Sequence, residues 1–278
     1  MKNLLGIMQG RLLPKYEGRY QAHPVGYWQD EFSIAAELEL DCIEFILDYK
    51  YVESNPLLNP DGRKQIRTIS EETGVKVVSV CADYFMEAPL HSVEPEVSLR
   101  SLGILEKLID AAGDLGIKNI VIPCVEQSGI VDLSSRSRLC DALGQIIPKA
   151  LQSGVNLALE TELGPLEFHS LLNTINVECV TVNYDTGNSA SLGFDTVEEL
   201  DAYGRQITDV HIKDRQLNGG SVVLGSGAWE YGIFLTKLKT IGFDGPFILQ
   251  AFRDDEGVEI FKNQLNWFRE IIWSYDFK

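Results

Sequence analysis

The amino-acid sequence predicts an α/β protein, a closed (β/α)8 barrel. Three observations carry that expectation. A helical stretch, a small or polar break and a short β-rich run recur together, as in SEETGVKVVSV, AAGDLGIKNIVI, ALQSGVNLALE and LKTIGFDGPFIL. Eight such units fit the 278 residues of the chain, the length that one barrel of this kind needs. The first strand runs into IMQGRLLP, without the GxGxxG turn that an open doubly wound sheet usually places there.

Taken in order, the strands are expected at residues 4–8, 42–46, 75–80, 119–122, 156–159, 179–184, 207–212 and 247–249. Helices are expected near 31–40, 60–73, 95–115, 135–152, 165–174, 196–204, 230–240 and 256–274. Strands that alternate with helices argue for a parallel sheet. Gly74, Gly116, Gly154 and Gly242 stand just before strands, where a helix ends in left-handed backbone. The last helix repeats Ile260, Phe261, Leu265, Phe268, Ile271 and Ile272 at near-helical spacing, a stripe for packing on the barrel or for a homo-oligomer contact. No linker or low-complexity segment interrupts the pattern, so residues 1–278 read as one domain.

Hydrophobic residues make up 45% and charged residues 23%, the balance of a soluble globular protein. No apolar run approaches the roughly 18 residues of a membrane span. The start, MKNLLGIMQG, is broken too early by Gln9 and Arg11 for a secretory signal and reads as a buried first strand. A net charge of −17 opposes nucleic-acid binding, while leaving room for a small anion in a locally basic pocket. Five cysteines without CxxC spacing read as reduced core thiols of a cytoplasmic protein.

The loops that follow the strands are long and carry polar and aromatic residues: MQGRLLPKYEGRYQAHPVGYW, DYKYVESN, ADYFMEAPLH and PCVEQSG. Loops on the opposite face are short. In such barrels the strand ends form the working face. Three successive strands close on residues that can bind a cation: Glu160 in LALETE, Asp185 in NYDTGN and His211 in VHIKD. Each has an ordinary reading too: a glutamate opening a helix, an aspartate capping a turn, a hydrogen-bonded core histidine. Together they suit Mn²⁺, Mg²⁺, Zn²⁺ or Co²⁺. The fourth strand, PFILQ, ends in Gln250.

LALETE, NYDTGN, VHIKD and the last unit LGSGAWEYGIFLTKLKTIGFDGPFILQ resemble the xylose isomerase-like TIM barrels, the sugar phosphate isomerase/epimerase group. The resemblance covers nearly the whole chain. It implies a divalent metal held by Glu, Asp, His and a second Glu at the ends of strands five to eight. Glu160, Asp185 and His211 match the first three, and Gln250 stands where the last glutamate is expected. The resemblance also implies the chemistry: the metal polarises the carbonyl of a ketose, and a carboxylate, here Glu160, takes the neighbouring carbon-bound proton. The substrate is then a small carbohydrate, free or phosphorylated.

In an epimerase a second carboxylate returns the proton from the opposite face. An amide at position 250 can coordinate, but it exchanges no proton near neutral pH. Three readings follow. Glu160 acts alone in an isomerase; Glu126, Glu162 or Lys213 replaces the missing acid; or the barrel binds sugar without catalysis around a degraded metal site. A polyol-ketone dehydratase begins with the same proton abstraction. A DNA-repair nuclease on this type of barrel needs more metal-binding histidines than His23, His91 and His169 are placed to give. Replacing Gln250 by Glu is expected to tighten Mn²⁺ binding.

Loop position and the resemblance add further candidates. Gln9 and Arg11 are placed to contact sugar hydroxyls or a phosphate, or to form an ion pair across the barrel mouth. Glu44 is placed to orient a sugar hydroxyl or hold Arg11. Arg11, Lys213, Arg215 and Arg253 offer cations for a phosphate. Asp214 is placed to orient a metal ligand. Gly225 and Gly227 bring N–H groups toward a phosphate or simply form a turn. Trp28, Tyr84, Phe85 and Trp229 either wall a sugar site or pack in the core.

Overall fold

The computed structural model describes residues 3–255 and 257–277. Eight parallel strands alternate with eight outer helices. The strands are β1 Leu5–Met8, β2 Cys42–Ile46, β3 Lys76–Cys81, β4 Asn119–Cys124, β5 Asn156–Thr161, β6 Val180–Asp185, β7 Ile207–Ile212 and β8 Phe247–Leu249. Each pairs with its sequence neighbours, and β8 pairs back onto β1, Leu5 opposite Phe247, which closes the barrel.

The outer helices are α1 Asp30–Glu37, α2 Pro60–Thr73, α3 Pro95–Leu115, α4 Leu133–Ser153, α5 Pro165–Ile175, α6 Thr196–Tyr203, α7 Tyr231–Ile241 and α8 Glu259–Ser274. Residue 256, where the sequence predicts the last helix to start, lies outside the described residues. Gly74, Gly116, Gly154 and Gly242 end their helices at positive φ, as their spacing predicts.

Two short helices, Tyr84–Glu87 and Thr186–Leu192, and a small hairpin pairing Asp214–Arg215 with Ser221–Val222 lie beyond the strand ends. Strands β4 to β6 also run one or two residues further than their apolar runs. Partners on both sides extend the ladder through polar residues: Pro123 stands opposite Glu160, and Asp185 opposite His211. The catalytic candidates therefore sit within strands, on rigid backbone.

A large apolar layer fills the space between strands and helices, and Trp28, Tyr84, Phe85 and Trp229 all belong to it. These aromatics pack; they do not wall a sugar site. Met8, Cys42, Ile46, Cys81, Val121, Ala158 and Ile248 form a second apolar cluster. The two-residue period of a strand sets Glu160 on the same face as Ala158, Asp185 with Asn183, His211 with Asp209, and Gln250 with Ile248.

The loop after β1 is tied down at its start. Gly10 has φ 90°, and a Cβ there would come within 2.3 Å of the Tyr20 carbonyl oxygen. The buried Glu31 carboxylate of α1 accepts from Gly10 N at 2.7 Å and Leu12 N at 3.0 Å. Burial pushes its pKa up to about 7. Among the described residues, no helix is long and apolar enough to cross a membrane.

Candidate active site

Glu160, Asp185 and His211 converge at the C-terminal end of the barrel. One ligand atom from each lies within 4.8 Å of the others. His211 Nδ1 stands 3.5 Å from Glu160 Oε2 and 4.0 Å from Asp185 Oδ2. Asn183, two residues before Asp185, bridges the cluster: its Nδ2 lies 2.9 Å from Glu160 Oε2 and 3.0 Å from His211 Nδ1. Asn188, one turn into the short helix after β6, donates from Nδ2 to Glu160 Oε1 at 2.8 Å. Asp185 caps that helix, its Oδ1 accepting from Asn188 N at 2.8 Å.

The far side of the imidazole is also held. His211 Nε2 lies 2.7 Å from Glu44 Oε1, and Ser79 Oγ donates to Glu44 Oε2 at 2.5 Å. Glu44 is fully buried beneath His211. It therefore neither reaches a substrate hydroxyl nor holds Arg11; it fixes the ring that faces Glu160 and Asp185. A carboxylate behind a metal-binding imidazole is the usual way such a ring is oriented.

The cluster suits a divalent cation. Asp185 Oδ2 and Gln250 Oε1 are buried and have no hydrogen-bond partner among the described residues. Orphaned buried acceptors cost free energy unless something donates to or coordinates them. Burial, and then the Asp185 charge, raise the Glu160 pKa. At His211 burial disfavours the imidazolium, but the facing carboxylates, Glu44 foremost, outweigh it and raise the pKa. That concentration of buried negative charge is what a bound dication would neutralise. Three oxygen donors and one nitrogen match the Mn²⁺, Mg²⁺, Zn²⁺ and Co²⁺ preferences.

Above the cluster opens a cleft of about 640 Å³, which Glu160, Asp185, Asn188, Lys213 and Gln250 line. Tyr49 and Met86 supply apolar wall, and Gln21, Asp83 and Glu126 supply polar rim. Lys213 Nζ stands 3.7 Å from Asp185 Oδ2. Of the groups considered as replacements for the missing acid, Glu126 and Lys213 reach the cleft. Glu162 does not line it; its Oε2 accepts from Glu126 N at 3.0 Å.

Several candidates lie elsewhere. Gln9 is fully buried, and its Oε1 accepts from Ile46 N at 3.0 Å. Among the described residues Arg11 forms no ion pair across the mouth; it donates to Ala251 O at 3.1 Å and Gln21 Oε1 at 3.2 Å. Burial, and the neighbouring Arg253 charge, lower its pKa to about 10. The Arg253 guanidinium donates to Arg11 O and lies 4.3 Å above the Tyr20 ring. Arg215 donates to Asn188 Oδ1 at 3.0 Å and Gly219 O at 3.0 Å, bracing Asn188 from behind.

Asp214 has a different task from the one its position suggested. Its carboxylate accepts from Gly225 N at 3.0 Å, Gly227 N at 2.8 Å and Trp229 N at 3.1 Å. The donors that the glycine loop offered to a phosphate are thus taken by an internal carboxylate. A Cβ at position 227 would come 2.2 Å from Asp214 Oδ1, which accounts for the glycine. Asp214→Ala leaves three N–H groups without their acceptor and is expected to cost roughly 2–3 kcal/mol, read as a lower urea midpoint at unchanged slope.

The sequence reading did not single out Asn183, Asn188, Gln21 or Asp83. Period two counted back from Asp185, and one helical turn counted forward, would have reached the two asparagines. Gln21 and Asp83 sit in loops, where no period points to them.

The fold and the site together define a class: (β/α)8 barrels with two carboxylates and an imidazole gathered at the C-terminal mouth beneath an open polar cleft. The chain belongs to the xylose isomerase-like TIM barrel family, whose model matches residues 32–271. Its curated relatives include the L-ribulose-5-phosphate 3-epimerase UlaE of Salmonella typhi, 26% identical over 243 residues, covering 84% of this chain and 86% of the relative. Among solved structures, the IOLI protein with a binding zinc atom superposes at a TM-score of 0.77, with 18% identity and 99% of each chain covered. The D-allulose 3-epimerase of Methylomonas sp. in complex with D-allulose superposes at 0.72, with 18% identity, covering 96% of this chain and 90% of that one. The curated relatives are epimerases, enzymes of the isomerase class.

Proposed function

We propose that the chain is a divalent-cation-dependent isomerase or epimerase of a small sugar, moving a proton at the carbon beside the sugar carbonyl. The observation that carries this reading is the convergence of Glu160, Asp185 and His211 within 4.8 Å, beneath a cleft of sugar size. Glu160, Asp185, His211 and Gln250 would hold the cation. When bound, it supplies Lewis-acid polarisation of the sugar carbonyl, which acidifies the neighbouring C–H.

Glu160 is the proton carrier. Both its oxygens accept from asparagines, which aim the carboxylate into the cleft. Its raised pKa makes it a stronger base than an exposed glutamate. Gln250 coordinates without carrying a proton. The binding-only reading loses its motive, because Gln250 lines the cleft and its Oε1 has lone pairs and no hydrogen-bond partner among the described residues.

The surroundings favour an unphosphorylated sugar. Seven carboxylates and three cations line the cleft, and the cations are engaged: Arg19 with Asp48 at 3.0 Å, Lys50 with Glu17 at 2.6 Å and Lys213 with Asp185 at 3.7 Å. Arg11, Arg215 and Arg253 do not line the cleft and donate to protein groups. A dianion brought here would lose its water without gaining a donor cluster. This departs from the phosphorylated substrate in the Salmonella relative's name.

The test is solvent-deuterium uptake, followed by NMR, over a panel of free ketoses and their phosphates with Mn²⁺ present. Exchange beside the carbonyl of a free ketose is expected, faster than in its phosphate. No exchange in any sugar would overturn the enzymatic reading; faster exchange in the phosphates would overturn only the choice of substrate.

A further inference from the structure

We infer that Gln21, clamped between Arg11 and Asp83, sets the amide of Gln250 so that its oxygen and not its NH₂ faces the cation site. This rests on the cation site proposed above. The argument is one of donor and acceptor parity along a chain of four side chains.

Arg11 has donors only. Its Nη2 lies 3.2 Å from one terminal atom of the Gln21 amide, so that atom is the oxygen. The other end of the same amide lies 3.2 Å from Asp83 Oδ2, an acceptor, so that end is the NH₂. Asp83 is itself steadied by Cys81, whose thiol lies 3.1 Å from Oδ1. The Gln21 amide is therefore determined at both ends.

Gln250 contacts the Gln21 oxygen at 2.6 Å. Two oxygens do not meet at that distance without a proton between them, so Gln250 must present Nε2 there. Its Oε1 is then the atom left over. It is buried, without a partner among the described residues, and belongs to a side chain lining the same cleft as Glu160 and Asp185.

The clamp matters because a glutamine has a competing choice that a glutamate lacks. Next to Glu160 and Asp185, an unrestrained amide would turn its NH₂ toward the carboxylates and present hydrogens to an incoming cation. Gln21 removes that alternative by occupying the NH₂. It is a positioning residue, and its contact joins positions 229 apart in the chain.

The same geometry modifies what Gln250→Glu should do. A carboxylate there faces the Gln21 oxygen with no proton between them. The added charge favours the cation while the oxygen contact opposes the carboxylate's placement. The full gain in affinity appears only when Gln21 is also replaced.

The experiment is Mn²⁺ titration calorimetry on the full chain for four proteins: the parent, Gln21→Leu, Gln250→Glu and the double variant, with melting curves run alongside to verify folding. Gln21→Leu is expected to weaken Mn²⁺ binding about 10- to 100-fold in the parent, the size of effect that outer-shell partners have. In the Gln250→Glu background the same change is expected to strengthen binding. A general structural disturbance cannot reverse sign in this way. Equal affinity of the parent and Gln21→Leu, or an equal loss in both backgrounds, overturns the clamp while leaving the cation site standing. A parent protein that takes up no Mn²⁺ overturns the cation site and the clamp with it.

Discussion

Glu160→Gln loses about 10³-fold in sugar proton exchange, the scale on which a positioned general base contributes. The side chain keeps its length and its place between Asn183 and Asn188, so the effect is chemical and not a collapse of the cleft. An amide still accepts from one asparagine, but its NH₂ then meets the donor of the other, at 2.8 or 2.9 Å in the parent. A modest loss of Mn²⁺ affinity accompanies the change. Rates should be compared at saturating Mn²⁺, so that weakened binding is not mistaken for lost proton transfer. Retention of a tenth or more of the parent's exchange rate under those conditions would remove Glu160 from the role of proton carrier.

Asp185→Asn is expected to lower Mn²⁺ affinity beyond the 10- to 100-fold that outer-shell changes cost. The two oxygens of Asp185 have separate duties. Oδ1 caps the short helix at Asn188 N, 2.8 Å away, and an asparagine can keep that bond. Oδ2 accepts no hydrogen bond among the described residues and faces His211 Nδ1 at 4.0 Å and Lys213 Nζ at 3.7 Å, and an NH₂ in its place offers hydrogens where a lone pair is needed. The metal-free protein should therefore melt no lower than the parent, since the cap is retained and a buried charge beside Glu160 is gone. Calorimetry and melting curves on the same preparation separate these effects. Parent-like Mn²⁺ affinity would place the cation elsewhere; a large fall in melting temperature would show that Asp185 serves mainly as a cap.

These expectations also explain why Gln250 does not make the site a relic. Two buried oxygens, Asp185 Oδ2 and Gln250 Oε1, accept no hydrogen bond among the described residues. The cluster gives up one unit of negative charge and one proton carrier. In the proposed reading Gln250 would coordinate without carrying a proton, and the transfer would fall to Glu160. The Mn²⁺ titrations therefore read all four proposed ligands, and the exchange assay reads proton transfer by Glu160.

Much of the site could be read from the chain because its signals are local. Glu160, Asp185 and His211 each end an apolar strand, and the order of the strands in the chain is their order round the barrel. A charge near a strand end does not by itself say what it binds. From the sequence, Glu44, Arg11 and Arg253 read as candidates for substrate contact, with an internal pairing as the alternative for Glu44 and Arg11, and Asp214 reads as the support of a metal ligand, because each is charged and near a strand end. In the folded chain each is already engaged: Glu44 with an imidazole 167 positions away, Asp214 with three backbone amides, Arg11 with a carbonyl 240 positions away and Arg253 with the Arg11 carbonyl. Whether a charge is free for substrate depends on what the fold has set against it.

Local patterning was enough to specify eight βα units, the working end of the barrel and the four side chains proposed to hold the cation. Strand period, helix-ending glycines and apolar runs act over a few residues, so they survive in the linear text. Closure of the barrel settled the rest: that β2 lends a carboxylate to the imidazole of β7, that a glycine loop is filled from within, and that Gln21 governs which atom of Gln250 faces inward. Those outcomes depend on distances between groups far apart in the chain, which appear only once the chain has folded.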